Sequence, residues 1–289
     1  MSDNEALLAA IAAQPDEDTP RLAFADWLEE HGQPIRAEFI RLQCDIAKKE
    51  SLSRAMLNQH VDLFKRQQEL IDHHRAELLG PLAALPETLK VEFRRGFVSE
   101  IELPVGGFLP FAETIASTKP RPRVSVTQVV ERLYEFIRCP QLGCVTRIAV
   151  YSSARFTNPP PPPDNDVILD SLNAKFTSLE SLDLEGCGIN DQDFDLIYNY
   201  HLPALVDLDL SNNTISDVGV VDLLRTSLPA QLKRLILGGN PIGDQGAIEL
   251  ADRWPKQHRL EELNLRFTNI GQPGHQALLA RFGGIVRLF

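Results

Sequence analysis

Leu205-Val206-Asp207-Leu208-Asp209-Leu210-Ser211-Asn212-Asn213-Thr214-Ile215 places aliphatic residues at its first, fourth, sixth and eleventh positions and an asparagine at its ninth. The same skeleton recurs without a gap in three more segments. They are Leu179, Leu182, Leu184, Cys187, Ile189; Leu232, Leu235, Leu237, Asn240, Ile242; and Leu260, Leu263, Leu265, Thr268, Ile270. Successive starts are 26, 27 and 28 residues apart, a period at which one unit holds a short strand and a helix. Within each unit the L-x-L pair has the period of two that sends alternate side chains to one side of a strand. Where the strand turns away, the Asn or Cys side chain satisfies backbone groups that would otherwise be unpaired.

This is the pattern of a leucine-rich repeat, and it predicts an α/β solenoid with parallel strands on the concave face and helices on the convex face. Val218, Val221, Leu223 and Leu224, then Ile248, Leu250 and Trp254, sit at helical spacing between strands, and Asp217 and Asp244 are expected to cap those helices. Weaker copies extend upstream through Val145, Ile148 and Val150, then Val124 and Val126, then Val98, Ile101 and Leu103. Downstream, Ile285 and Leu288 are expected to repeat Leu260 and Leu263 as a closing strand. The organisation expected is a helical module and capping helix over 1–80, then the array over 81–289. The array divides into degenerate repeats (81–150), a Pro-rich insertion (151–178) and regular repeats with a C-terminal cap (179–289). The insertion carries prolines 159 to 163, a stiff polyproline segment that could serve as a spacer or as a ligand for an aromatic groove.

In the N-terminal module, Leu7, Leu8 and Ile11 share a helix face. A second helix should start at Asp18 or Thr19 and stop at Gly32, and Pro34 opens a third with Ile35, Phe39, Ile40 and Leu42. A longer helical pattern from Leu52 to Leu79, including Leu57, ends at Gly80-Pro81 and is expected to cover the first strands. The run Arg21-Leu22-Ala23-Phe24-Ala25-Asp26-Trp27-Leu28-Glu29-Glu30-His31-Gly32 and the run Arg36-Ala37-Glu38-Phe39-Ile40-Arg41-Leu42-Gln43 resemble the repeat-companion domain that precedes leucine-rich repeats in planctomycete bacteria. Arg94-Arg95-Gly96-Phe97-Val98 is similar to the junction in such proteins, and the repeats themselves resemble the ribonuclease-inhibitor type. The resemblance implies this architecture and a bacterial origin, and it supplies no functional residues.

Composition narrows the function. Apolar residues make up 43% and charged residues 24%, which fits a folded globular chain. No apolar run is long enough to cross a bilayer and the N-terminus lacks a signal pattern, so a cytoplasmic location is expected. The net charge of −11 denies the chain as a whole the basic footprint that nucleic acids require. The P-loop, dinucleotide, zinc-protease and hydrolase signatures are missing, so no enzyme activity, no cofactor and no metal are expected. Adjacent His73 and His74 point about 100° apart on a helix and suit a solvated face better than a metal. Cys187 occupies the ladder position of Asn213 and Asn240 and is expected to be structural, while Asp26 is expected to pair with an Arg or a helix cap.

The expected function is a non-enzymatic scaffold that binds a partner protein on the concave face. The side chains aimed there are Arg147, Ala149 and Tyr151; Ser181, Asp183 and Glu185; Asp207, Asp209 and Ser211; Arg234, Ile236 and Gly238; and Glu262, Asn264 and Arg266. Of these, Arg147, Tyr151, Asp183, Glu185, Asp207, Asp209, Arg234 and Arg266 are the candidate binding residues. Two consecutive units are acidic, which reads first as a solvated acidic surface; the functional reading is a patch for a basic partner, ahead of a divalent cation. Two alternatives belong to other classes. One is activation of a nucleotide-hydrolysing partner through Arg155. The other is nucleic-acid binding through the basic segment around residues 94–123, with Arg94, Arg95, Lys119, Arg121 and Arg123.

Overall fold

The computed structural model describes residues 2–49, 60–86, 89–150, 176–194 and 202–288. They form two compact units, one of Met1–Leu103 with Pro110–Val124 and the other of Pro104–Leu109 with Ser125–Phe289.

The first unit begins with three short helices, α1 (Asp3–Ala13), α2 (Thr19–Glu30) and α3 (Pro34–Ala47). Ser2 and Glu5 cap α1 reciprocally, Pro20 lies in the first turn of α2, and Gly32 with φ of 75° ends that helix. Ile11, Phe24, Ala25, Leu28, Ile40 and Phe97 make a common core, with Leu7 and Leu8 packed at its edge. A longer helix, α4 (Val61–Leu79), sets Leu70 and Leu78 against Phe39 and Leu42, and Phe93 joins this second cluster. Residues 52–59 of that expected helix, Leu57 among them, lie outside the described residues.

One expectation changes here. Val98, Ile101 and Leu103 belong to an antiparallel hairpin of β1 (Lys90–Arg94) and β2 (Phe97–Pro104), where a degenerate repeat is expected. The cause is the two-residue turn Arg95-Gly96, whose φ angles of 51° and 85° are both positive, the geometry that reverses a chain between twisted strands. Period-two alternation is common to both kinds of strand and does not reveal direction. A Cβ at Gly96 would stand 2.6 Å from the Cα of Ile40, so only glycine lets this turn rest on α3. The three segments that carry the family resemblance thus meet in one core: Phe24 stacks on Phe97 at 5.8 Å, and Ile40 touches Gly96.

In the second unit, parallel strands follow in chain order. They are β3 (Arg123–Thr127), β4 (Arg147–Ala149), β5 (Ser181–Asp183), β6 (Asp207–Asp209), β7 (Arg234–Ile236), β8 (Glu262–Asn264) and β9 (Val286–Arg287). Ile148, Leu182, Leu208, Leu235 and Leu263 stand opposite one another across β4 to β8 and are buried. The closing strand is displaced from its expected register: Val286, not Leu288, faces Leu263. A shift of two keeps the apolar side chain on the same side of the sheet.

Helices α5 (Asp217–Leu223), α6 (Asp244–Arg253) and α7 (Gln272–Phe282) come between or after these strands. Val220, Leu223, Ala247, Leu250 and Trp254 are buried, whereas Val218 is 60% exposed, because it stands two residues from Val220 on a short helix. The capping acids work differently from expectation. The residues at the N-caps are Ser216 and Gly243, and the carboxylates one position later reach into the following repeat. Asp191 accepts bonds from the N–H groups of Ser216 and Gly219, Asp217 from Gly243, and Asp244 from Gly271 and Gly274. Each acid therefore satisfies orphan donors at the next repeat's helix start. Gly219, Gly246 and Gly274 leave room for this, since a Cβ on any of them would lie within 2.7 Å of the acid. No helix among the described residues is long and apolar enough to cross a membrane.

Candidate binding face of the parallel strands

Each strand from β5 to β8 buries its central leucine and leaves the flanking residues at least partly open, so the flanking side chains share one face. Strand register arranges them in rows. Arg147, Ser181, Asp207, Arg234 and Glu262 stand side by side in the first, and Ala149, Asp183, Asp209, Ile236 and Asn264 in the second. Asp183 and Asp209 are thus adjacent, as the ungapped alignment of the repeats requires. Tyr151 and Arg155, with the proline run 159–163, lie outside the described residues.

The charges are only partly compensated. Arg234 approaches Asp207 at 3.8 Å, and Arg287 pairs with Glu262 at 2.9 Å. Asp183 accepts a bond from the backbone N–H of Glu185 at 3.0 Å, and Asp209 accepts from the N–H and hydroxyl of Ser211. Glu185 accepts from the Asn212 amide at 2.7 Å. These donors are neutral and fix the carboxylates in place without cancelling their charge. Partial burial, reinforced by the neighbouring charges of Asp209 and Glu185, pushes the Asp183 carboxyl up to about 6, against the opposing pull of the Glu185 N–H and Arg147.

A ladder of side-chain amides behind this face ties neighbouring repeats together. Asn213 accepts from the N–H of Ile189 and donates to the carbonyls of Leu184 and Leu210. Asn240 accepts from Ile215 and donates to Leu210 and Leu237. Cys187 at the corresponding position offers only a thiol, 3.7 Å from the Glu185 carbonyl, and burial raises its pKa well above the usual thiol range. It is therefore an inert part of the ladder.

Phe267 was not among the residues singled out by sequence. It occupies the position before the ladder residue, where Gly186, Asn212 and Gly239 stand in the earlier repeats, and all four have positive φ. Glycine and asparagine tolerate that conformation, whereas a bulky aromatic is strained by it. Its ring is nonetheless 88% exposed, so no packing offsets the strain. The column of small residues interrupted by an aromatic was visible in the sequence; the backbone angle that makes it meaningful was not.

Elsewhere, Asp26 pairs with Arg41 at 2.7 Å, and Arg41 also holds Glu29. The His73 ring nitrogen lies 2.8 Å from the Glu69 carbonyl of its own helix. In the basic segment, Arg95 forms an ion pair with Asp18, while Lys119 and Arg121 line a separate hollow.

The second unit is accordingly a mixed α/β structure with a parallel sheet and an asparagine ladder, the features of a leucine-rich repeat region. A family model described as a leucine-rich repeat matches residues 177–193, 201–224 and 231–251. The chain is similar to that family over this stretch. No curated protein matches the chain. Leucine-rich repeats generally mediate protein–protein interactions and are typically not enzymes.

Proposed function

We propose that this chain is a non-enzymatic scaffold whose repeats form a solenoid and whose concave wall, the strand face of β4 to β8, captures a partner protein through a basic segment. The observation that carries the reading is the row pairing of Asp183 with Asp209, which holds like charges side by side in the free protein. A lysine or arginine from the partner would relieve that repulsion and draw the Asp183 carboxyl back down toward the ordinary Asp range. The candidate contacts are Asp183, Glu185, Asp207 and Asp209 at the acidic centre, with Arg147, Arg234 and Arg266 around it; Tyr151 remains a candidate from the sequence alone. Phe267 adds an apolar anchor of the kind that dominates interface energetics. The first unit, with its likeness to the repeat-companion domain, would accompany the array.

One variant tests both the electrostatics and the binding. Below the ordinary Asp range Asp183 is protonated folded and unfolded, so it contributes nothing. Between about 4 and 6 the unfolded chain ionises while the folded chain retains its proton, and folding stability falls as pH rises. Asp183→Asn should therefore be more stable than the wild type by about 1 to 3 kcal/mol at pH 7.5, with the difference vanishing below pH 4, measured by urea denaturation. Combined with Asp209→Asn, it should lose roughly tenfold or more in affinity for a purified basic partner recovered by the wild-type chain. Phe267→Gly should likewise weaken capture while raising the melting temperature, because it removes left-handed strain. Undiminished capture by the double variant would overturn the proposed acidic site.

A further inference from the structure

The first unit contains a hollow of about 400 Å³ between α1 and the segment that follows the short helix Ala112–Ser117. Its walls are apolar: Leu8, Ala9 and Ala12 from one side, Ala116 and Pro120 from the other. Lys119 and Arg121 stand at the rim with their side chains in solvent, and neither forms an ion pair among the described residues. Glu5 also borders the hollow, but its carboxylate accepts from the N–H of Ser2 in the α1 capping box. The rim thus offers two cations against one acid that already has a structural task.

We propose that this hollow is a binding site for a small anionic amphiphile, a single short acyl chain ending in a carboxylate. Three properties select that chemistry. The volume lies near the lower end of the range for small-molecule sites, too small for a folded partner or a two-chain lipid. Apart from Glu5, Lys119 and Arg121, the only polar side chain lining the hollow is Thr118, so the inserted part is hydrocarbon. Lys119 and Arg121 supply the donors that a carboxylate head needs at the mouth, and the charge complementarity fixes which end points outward. The alanines matter as well. Ala9 and Ala12 are exposed positions on α1 where a long polar side chain would fit the helix equally well and would fill the hollow. With alanine at both, an apolar cleft remains open to solvent.

The test is isothermal titration calorimetry of the full chain with sodium decanoate, decanol and decyltrimethylammonium. Decanoate should bind saturably with one site per chain, decanol at least about tenfold more weakly, and the cation not at all. Lys119→Ala with Arg121→Ala changes only exposed side chains and should bring decanoate down to the affinity of decanol. Ala12→Leu should abolish binding of both by filling the hollow, and a thermal melt of each variant establishes that it folds. The double rim variant keeps the test decisive if Ala12→Leu misfolds. Decanoate heats that do not saturate, or saturable binding unchanged in the rim variant, would overturn the site.

Discussion

Asn240→Ala is expected to lower the unfolding free energy by about 3 kcal/mol or more, read from the urea midpoint at constant slope. The side chain is 2% exposed, and its amide serves four backbone groups on two different repeats: the N–H of Ile215 and the carbonyls of Leu210, Leu237 and Gly238. Alanine leaves the Ile215 N–H and the Leu237 carbonyl without that partner in a place that water does not reach, while Leu210 keeps the Asn213 amide, and each buried orphan costs about 1 to 3 kcal/mol. Partial relaxation keeps the total below the simple sum. Asn240→Asp is a sharper version: it keeps the acceptor for Ile215, loses the three donated bonds and adds a buried charge, so it should be at least as damaging. A loss under 1 kcal/mol for either would mean that the ladder does not tie the repeats together.

Leu235→Ala should cost about 2 to 5 kcal/mol. This leucine is fully buried at the centre of β7, opposite Leu208 on one side and Leu263 on the other. Truncation opens a void that short strands, pinned in register by neighbours on both sides, cannot easily close. Leu279→Ala on α7 is the control, because that side chain is 51% exposed and its loss should stay within about 0.5 kcal/mol. Equal effects at the two positions would contradict the inward assignment of Leu235.

Much of this was legible in the residues because aliphatic spacing is a direct record of which side chains a strand buries. Leu182, Leu208, Leu235 and Leu263 could be aligned without a gap, and from that alignment alone Asp183 and Asp209 had to be neighbours. Direction and dihedral angle leave weaker marks. Val98, Ile101 and Leu103 alternate as a parallel strand would, and only the backbone angles at Arg95 and Gly96 turn them into a hairpin. Asp217 and Asp244 look like ordinary caps, yet their carboxylates cap the following repeat, where glycines leave them space. That contact spans a whole repeat and is invisible to any local rule. The same holds for the hollow beside α1, whose two walls come from opposite ends of the first unit's sequence.

The proposed docking of a partner on the strand face predicts which surface a bound partner shields. All four native cysteines are buried, so a single introduced thiol can be labelled selectively. Ile236→Cys places that thiol in the row between Asp209 and Asn264, and Asp252→Cys places it on the exposed side of α6. With the captured partner in excess, maleimide labelling at position 236 should slow roughly tenfold or more while labelling at position 252 stays unchanged. Protection at position 252 with none at position 236 would contradict the account.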